Sequence, residues 1–131
     1  MRRLLIAVVF VAALTLCSVA VAAANLAGTW KETIHSAALH GALNGTWTFK
    51  ANNGTYHVAD NGQPIVHGNY TIKGSKISFK DTGGPAKCPG TGVYKYKLSG
   101  KTLKFTLVSD KAAACAGRRT VLTAGTFKKT S

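Results

Sequence analysis

The chain has 131 residues, 17 Lys+Arg against 4 Asp+Glu, a formal charge of +13, 14 Gly and 3 Cys. That length holds one domain with one core and excludes two large ones. So few acids argue against carboxylate-pair catalysis, and the cationic excess points to an anionic partner or simply to solubility.

In chain order, residues 1–24 read as a signal peptide. Arg2 and Arg3 give a positive start, Leu4 to Ala13 is apolar throughout, and Ala20-Val21-Ala22 and Ala22-Ala23-Ala24 offer small-residue cleavage sites before Ala23 or Asn25. The domain is then residues 25–131 of a secreted or periplasmic protein. Cys17 leaves with the signal, so Cys88 and Cys115 remain. In an exported chain with no Cys-x-x-Cys, the default for such a pair is a disulfide. The loop it closes is worth about 3.5 kcal/mol in the chain-entropy model.

Period-two alternation then recurs. Trp47, Phe49 and Ala51 alternate with Thr and Lys, as do Tyr70 with Ile72, Ile77 with Phe79, Tyr94 with Tyr96 and Leu98, and Leu103 with Phe105 and Leu107. Such segments have one apolar and one polar face, as half-buried antiparallel strands do. Asn52-Asn53-Gly54, Asn61-Gly62, Gly74-Ser75 and Ser99-Gly100 are short turns that make each strand pair with the next. Eight strands are predicted, over about 29–36, 45–51, 54–60, 67–73, 76–81, 92–98, 101–108 and 119–128. The predicted fold is an all-β, eight-stranded antiparallel up-and-down barrel, with a two-sheet sandwich as the alternative. In such a meander the loops holding Cys88 and Cys115 follow the fifth and seventh strands and lie at the same end.

Gly28-Thr29-Trp30 opens the first strand, and Arg118-Arg119 stands at the entry to the last. This Gly-x-Trp with a late Arg resembles the lipocalin (calycin) pattern, and the stretch from Gly83 to Arg119 is similar to small secreted bacterial lipocalin-like proteins. The resemblance implies that Arg118 or Arg119 packs across Trp30 and shuts one end of the barrel. Arg118 shares parity with Leu122 and Ala124, whereas Val121 and Phe127 favour Arg119. The chain is shorter than typical lipocalins and shows no helix after Lys128, which implies a short barrel.

Eight strands enclose a space that side chains just fill, or that holds one small ligand. The inward aromatics are numerous enough to fill it. Four Tyr hydroxyls that need partners favour a pocket, with Trp47, Tyr56, Tyr70, Tyr94 and Tyr96 as its candidate lining. Glu32 shares parity with Trp30 and joins them, although a kinked first strand would return it to solvent. No nucleophile motif, phosphate loop or dinucleotide fingerprint occurs. His57 and His67 flank one turn but lack a third ligand, so neither a metal nor another cofactor is expected. His35 and His40 fall in the first long loop.

Lys76, Lys80, Lys95, Lys97 and Lys104 occupy the polar faces of three neighbouring strands. They form a basic patch that is either a solvated face or a site for an anionic polymer or membrane surface. Nucleic acid is not expected, because no aromatics interleave with these lysines. The sequence thus predicts a monomeric, non-enzymatic, lipocalin-like protein that binds a small, mainly apolar or aromatic ligand. The alternative is a basic surface-interaction protein with a filled barrel.

Overall fold

The structure, a computed structural model, describes residues 26–131. The signal peptide and cleavage sites expected over 1–24 lie outside the described residues. Eight strands follow one another: β1 (Gly28–Ile34), β2 (Gly45–Asn52), β3 (Thr55–Asp60), β4 (Gln63–Lys73), β5 (Lys76–Gly83), β6 (Thr91–Ser99), β7 (Thr102–Ser109) and β8 (Thr126–Lys129). Each pairs with its neighbour, and β1 closes on β8 through Trp30 opposite Lys129 and Lys31 opposite Lys128. The fold is therefore the closed antiparallel up-and-down barrel that the alternation predicts, and not a sandwich. A bulge between Val58 and Ala59 admits Pro64 near the start of β4, where a residue without an N–H is tolerated.

The last predicted strand is corrected. Only Thr126–Lys129 is extended, and Ala116–Thr123 forms a helix, α1. Its inward residues, Arg118, Val121 and Leu122, are spaced i, i+3, i+4, which is one helical face. A strand would have sent Val121 and Leu122 to opposite faces, whereas both are buried. The mixed parity of this stretch was the helical signal. Thr123 Oγ1 donates to Arg119 O at 2.7 Å and tightens the last turn.

Three phenylalanine rings, Phe49, Phe79 and Phe105, pack together in the barrel. Phe79 and Phe105 meet edge to face with centroids 5.6 Å apart, and Phe49 lies 5.9 Å from each. Such T-shaped contacts suit the ring quadrupoles. The two ends differ. Turns at Asn53–Gly54, Gly74–Ser75 and Gly100–Lys101, with both ends of the described chain, lie at one. The longer connections 35–44, 84–90 and 110–125, including α1, lie at the other with the tight Asn61–Gly62 turn.

Candidate functional site

The end with short turns is shut by Trp30. Its Nε1 donates to Leu26 O at 2.9 Å, and Leu26 is itself fully buried. The cation over the ring is Lys129, with Nζ 5.5 Å from the centroid, and not an arginine. The expected packing of Arg118 or Arg119 on Trp30 is thus corrected. The physical reason is α1, which carries both arginines to the opposite end of β8. Gly28 is required beside Trp30, because its φ is +133° and a Cβ would come within 2.6 Å of Ser131 O.

At the helix end, Arg118 enters the barrel from α1. Its Nε donates to Asp110 Oδ2 and its Nη2 to Asp110 Oδ1, both at 2.8 Å. Its Nη1 lies 3.3 Å from Asp81 Oδ1. Tyr94 Oη donates to Asp110 Oδ2 at 2.5 Å, and Tyr56 Oη donates to Asp81. The backbone N–H of Cys88 donates to the other Asp81 oxygen at 3.0 Å. Arg119 extends the cluster outward, donating to Asp110 O at 2.6 Å and Ala112 O at 2.8 Å. Both aspartates are buried, and such charges persist in a core only when paired and hydrogen-bonded.

The electrostatics follow this geometry. Burial alone would raise the Asp110 pKa, but the hydrogen bonds from Arg118 and Tyr94, with the charges of Arg118 and Arg119, hold it below the usual carboxylate value. Burial would lower that of Arg118, yet its bonds to Asp110 and the charge of Asp81 raise it. Burial, and then the neighbouring carboxylates, push the Tyr56 and Tyr94 phenols above their ordinary value. The cluster is a set of buried charges held by mutual hydrogen bonds and ion pairs.

Two glycines make room for it. A Cβ on Gly68 would run into the Lys80 carbonyl and meet Tyr56 Oη at 2.6 Å, and one on Gly92 would meet Asp110 Oδ2 at 2.6 Å. Neither has a positive φ, so at both the need is space.

Cys88 and Cys115 are bonded, with Cα atoms 5.3 Å apart, and tie the 84–90 loop to the start of α1. Arg118 Nη2 lies 3.4 Å from Cys115 Sγ. Beneath this bridge is a cavity of about 350 Å³. Trp47, Phe49, Tyr56 and Phe79 form its strand side, Val121 and Leu122 its helix side, and Asp81, Arg118 and Lys87 its polar margin. Trp47 Nε1 donates to Leu43 O at 2.8 Å, which leaves the indole face toward this space without an unmet donor.

The cavity gathers some of the predicted lining and not the rest. Trp47 and Tyr56 border it. Tyr94 is fully buried behind it, in the cluster. Tyr70 is buried with no partner for its hydroxyl. Tyr96 is half-buried and donates to Gly74 O at 3.2 Å, near the other end. Glu32 points inward rather than to solvent, 6% exposed, but does not border the cavity. Neither carboxyl oxygen has a partner, and burial raises its pKa to about 7. Sequence reasoning left out Asp81, although it continues the inward parity of Ile77 and Phe79.

On the outer wall Lys76, Lys80, Lys95, Lys97 and Lys104 are all exposed. Lys76 stands opposite Lys95, and Lys97 opposite Lys104. His57 and His67 are cross-strand partners with rings stacked 5.7 Å apart. Among the described residues, no three His, Cys, Asp or Glu converge as a metal site.

A closed eight-stranded barrel with a cavity under one end defines a lipocalin-type architecture. The chain belongs to the lipocalin-like domain family, whose model matches residues 26–106. No curated protein and no solved structure matches it.

Proposed function

We propose that this protein is an exported, non-enzymatic carrier that holds one small, mainly apolar or aromatic molecule in the cavity at the helix end. The observation that carries this reading is the cavity itself. Its volume lies within the range of small-molecule sites, its walls are largely aromatic and aliphatic, and its polar groups are confined to one margin. The lipocalin-like barrel supports it, as a small-molecule-binding fold. The bonded Cys pair supports export, since such bridges persist in oxidising compartments.

The buried charges support binding over catalysis. Asp81 and Asp110 already accept from Tyr56, Tyr94, Cys88 N–H and Arg118. A general base needs a free lone pair within reach of substrate, and these carboxylates are committed to the fold. Their service to a ligand is to set one polar margin against which its apolar body is oriented.

Titration with the apolar fluorophore 1-aminoanthracene, read through its emission and Trp47 quenching, tests the proposal. One saturable site is expected. Leu122→Trp, which fills the cavity from α1, should weaken binding at least tenfold while the protein stays folded. Absent saturation, or equal binding by the filled variant, would overturn the reading.

A further inference from the structure

The lysines on the outer wall form a connected path. Lys73 of β4 stands opposite Lys76 of β5, and Lys76 stands opposite Lys95 of β6. Lys97 is two residues along β6 on the same face, and stands opposite Lys104 of β7. All five are exposed. Adjacent strands lie about 4.8 Å apart, and residues two apart on a strand about 6.8 Å. The path is therefore a staircase of cations with steps of roughly 5–7 Å, shorter than the screening length of about 8 Å at physiological salt. Beyond it Lys128 of β8 faces Lys31 of β1.

Directly opposed like charges disfavour a sheet, and here three such pairs occur on consecutive strand contacts with nothing to relieve them. The chain has only four acids. Glu32, Asp81 and Asp110 are buried inside the barrel. Asp60 is half-buried at the helix end and accepts from Asn61 Nδ2 at 3.0 Å. Among the described residues no acidic side chain stands on the staircase, so the neutralising charge has to come from outside it.

We infer that this staircase is a docking surface for a linear polyanion, a flexible polymer with phosphate groups repeating at several-ångström intervals. The shape of the wall selects a chain over a bilayer. The path runs across four strands of a convex barrel, which a flexible polymer can follow, while a plane touches only a few strands at a time. A membrane surface would also be met by apolar side chains. Among the described residues the large exposed apolar ones are Leu39, Leu107 and Val108, and none is on the staircase.

The test is the affinity of the purified protein for medium-chain inorganic polyphosphate, beside phosphatidylglycerol vesicles. With five contacts, affinity should fall about a hundredfold between about 50 and 200 mM salt. Lys95→Gln with Lys97→Gln should weaken binding at least tenfold and make the salt dependence shallower. Lys50→Gln with Lys111→Gln removes the same charge from exposed positions elsewhere and should cost less than threefold. The staircase variant loses only exposed, mutually repelling lysines, so its urea midpoint should not drop, and lost binding will not reflect unfolding. Equal weakening by the two double variants would reduce the effect to net charge and overturn the assignment. So would tight vesicle binding without polyphosphate binding, or affinity indifferent to salt.

Discussion

At one end of the barrel, turns such as Gly74–Ser75 and Gly100–Lys101 join the strands, and Trp30, Leu26 and Lys129 seal the interior. At the other, a disulfide, a helix and a buried Arg–Asp–Tyr cluster stand over a cavity. The first seal is apolar and compact, and needs only the barrel to close. The second brings together β3, β5, β6, β7 and α1, and it works only if every charge has its partner. A small domain can thus spend its packing on one end and keep a shaped space at the other. The division predicts that damage at the two ends has similar effects on stability but different effects on binding.

The largest expected effects form a matched pair. Arg118→Ala strands two buried carboxylates and should cost about 3–5 kcal/mol. Trp30→Ala truncates a buried aromatic and should also cost about 3–5 kcal/mol. Urea unfolding measures both. Fluorophore affinity per folded molecule should collapse only in the Arg118 variant. If Trp30→Ala abolishes it as well, the ends are not separate. Next in size, Cys88→Ala with Cys115→Ala should lose about 2–4 kcal/mol and loosen the fluorophore site. Thiol titration of the unfolded, unreduced wild type should find neither Cys88 nor Cys115 free.

The smallest effect separates two kinds of buried acid. Glu32 is neutral in both folded and unfolded chains below its ordinary value of 4.5, so its contribution to stability is fully present there. It wanes as pH rises toward the folded value of about 7 and is lost above it. Glu32→Gln should therefore be more stable than wild type at pH 8, by about 2 kcal/mol, with little gain at pH 4. Asp110 has the opposite sign. Its lowered pKa gives stability above its ordinary 3.8 that disappears as pH falls through the folded value. Urea midpoints against pH should fall on both sides of a mildly acidic maximum, and Glu32→Gln should flatten only the upper side.

The strands were legible because the barrel needs one apolar face per strand, and β2, β4, β5, β6 and β7 show it plainly. Cys88 and Cys115 were legible because the meander places the loops after β5 and β7 together. The polar cluster was not. Asp81 carries inward parity, but Asp110 follows a register shift near Val93/Tyr94 that makes Val108 an extra residue on β7 and reverses the count. Leu107 and Val108 are both exposed as a result. Arg118 was misplaced because the helical spacing of Arg118, Val121 and Leu122 covers barely one turn, among β-branched neighbours that suit a strand. Inward parity correctly placed Tyr56 and Trp47 at the cavity. It could not separate them from Tyr70 and Tyr96, since parity fixes a face and not a height along the barrel.

Gly68 and Gly92 give the ionic cluster a history that can be read in relatives. Each leaves room for one of its members, Tyr56 in one case and Asp110 in the other. Gly68 is held twice, because a Cβ there would also run into the Lys80 carbonyl of β5, whereas Gly92 is crowded only by side chains, those of Asp110 and Tyr94. Lineages that exchanged Arg118 and its acids for an apolar plug would be free to acquire a side chain at 92 as the Tyr94 ring shifts, while 68 stays glycine against the β5 backbone. Lineages that kept the cluster would hold both positions empty. Position 92 is therefore expected to drift together with Asp110 and Arg118, linked by the volume that one missing methyl group leaves open, and position 68 is expected not to drift at all.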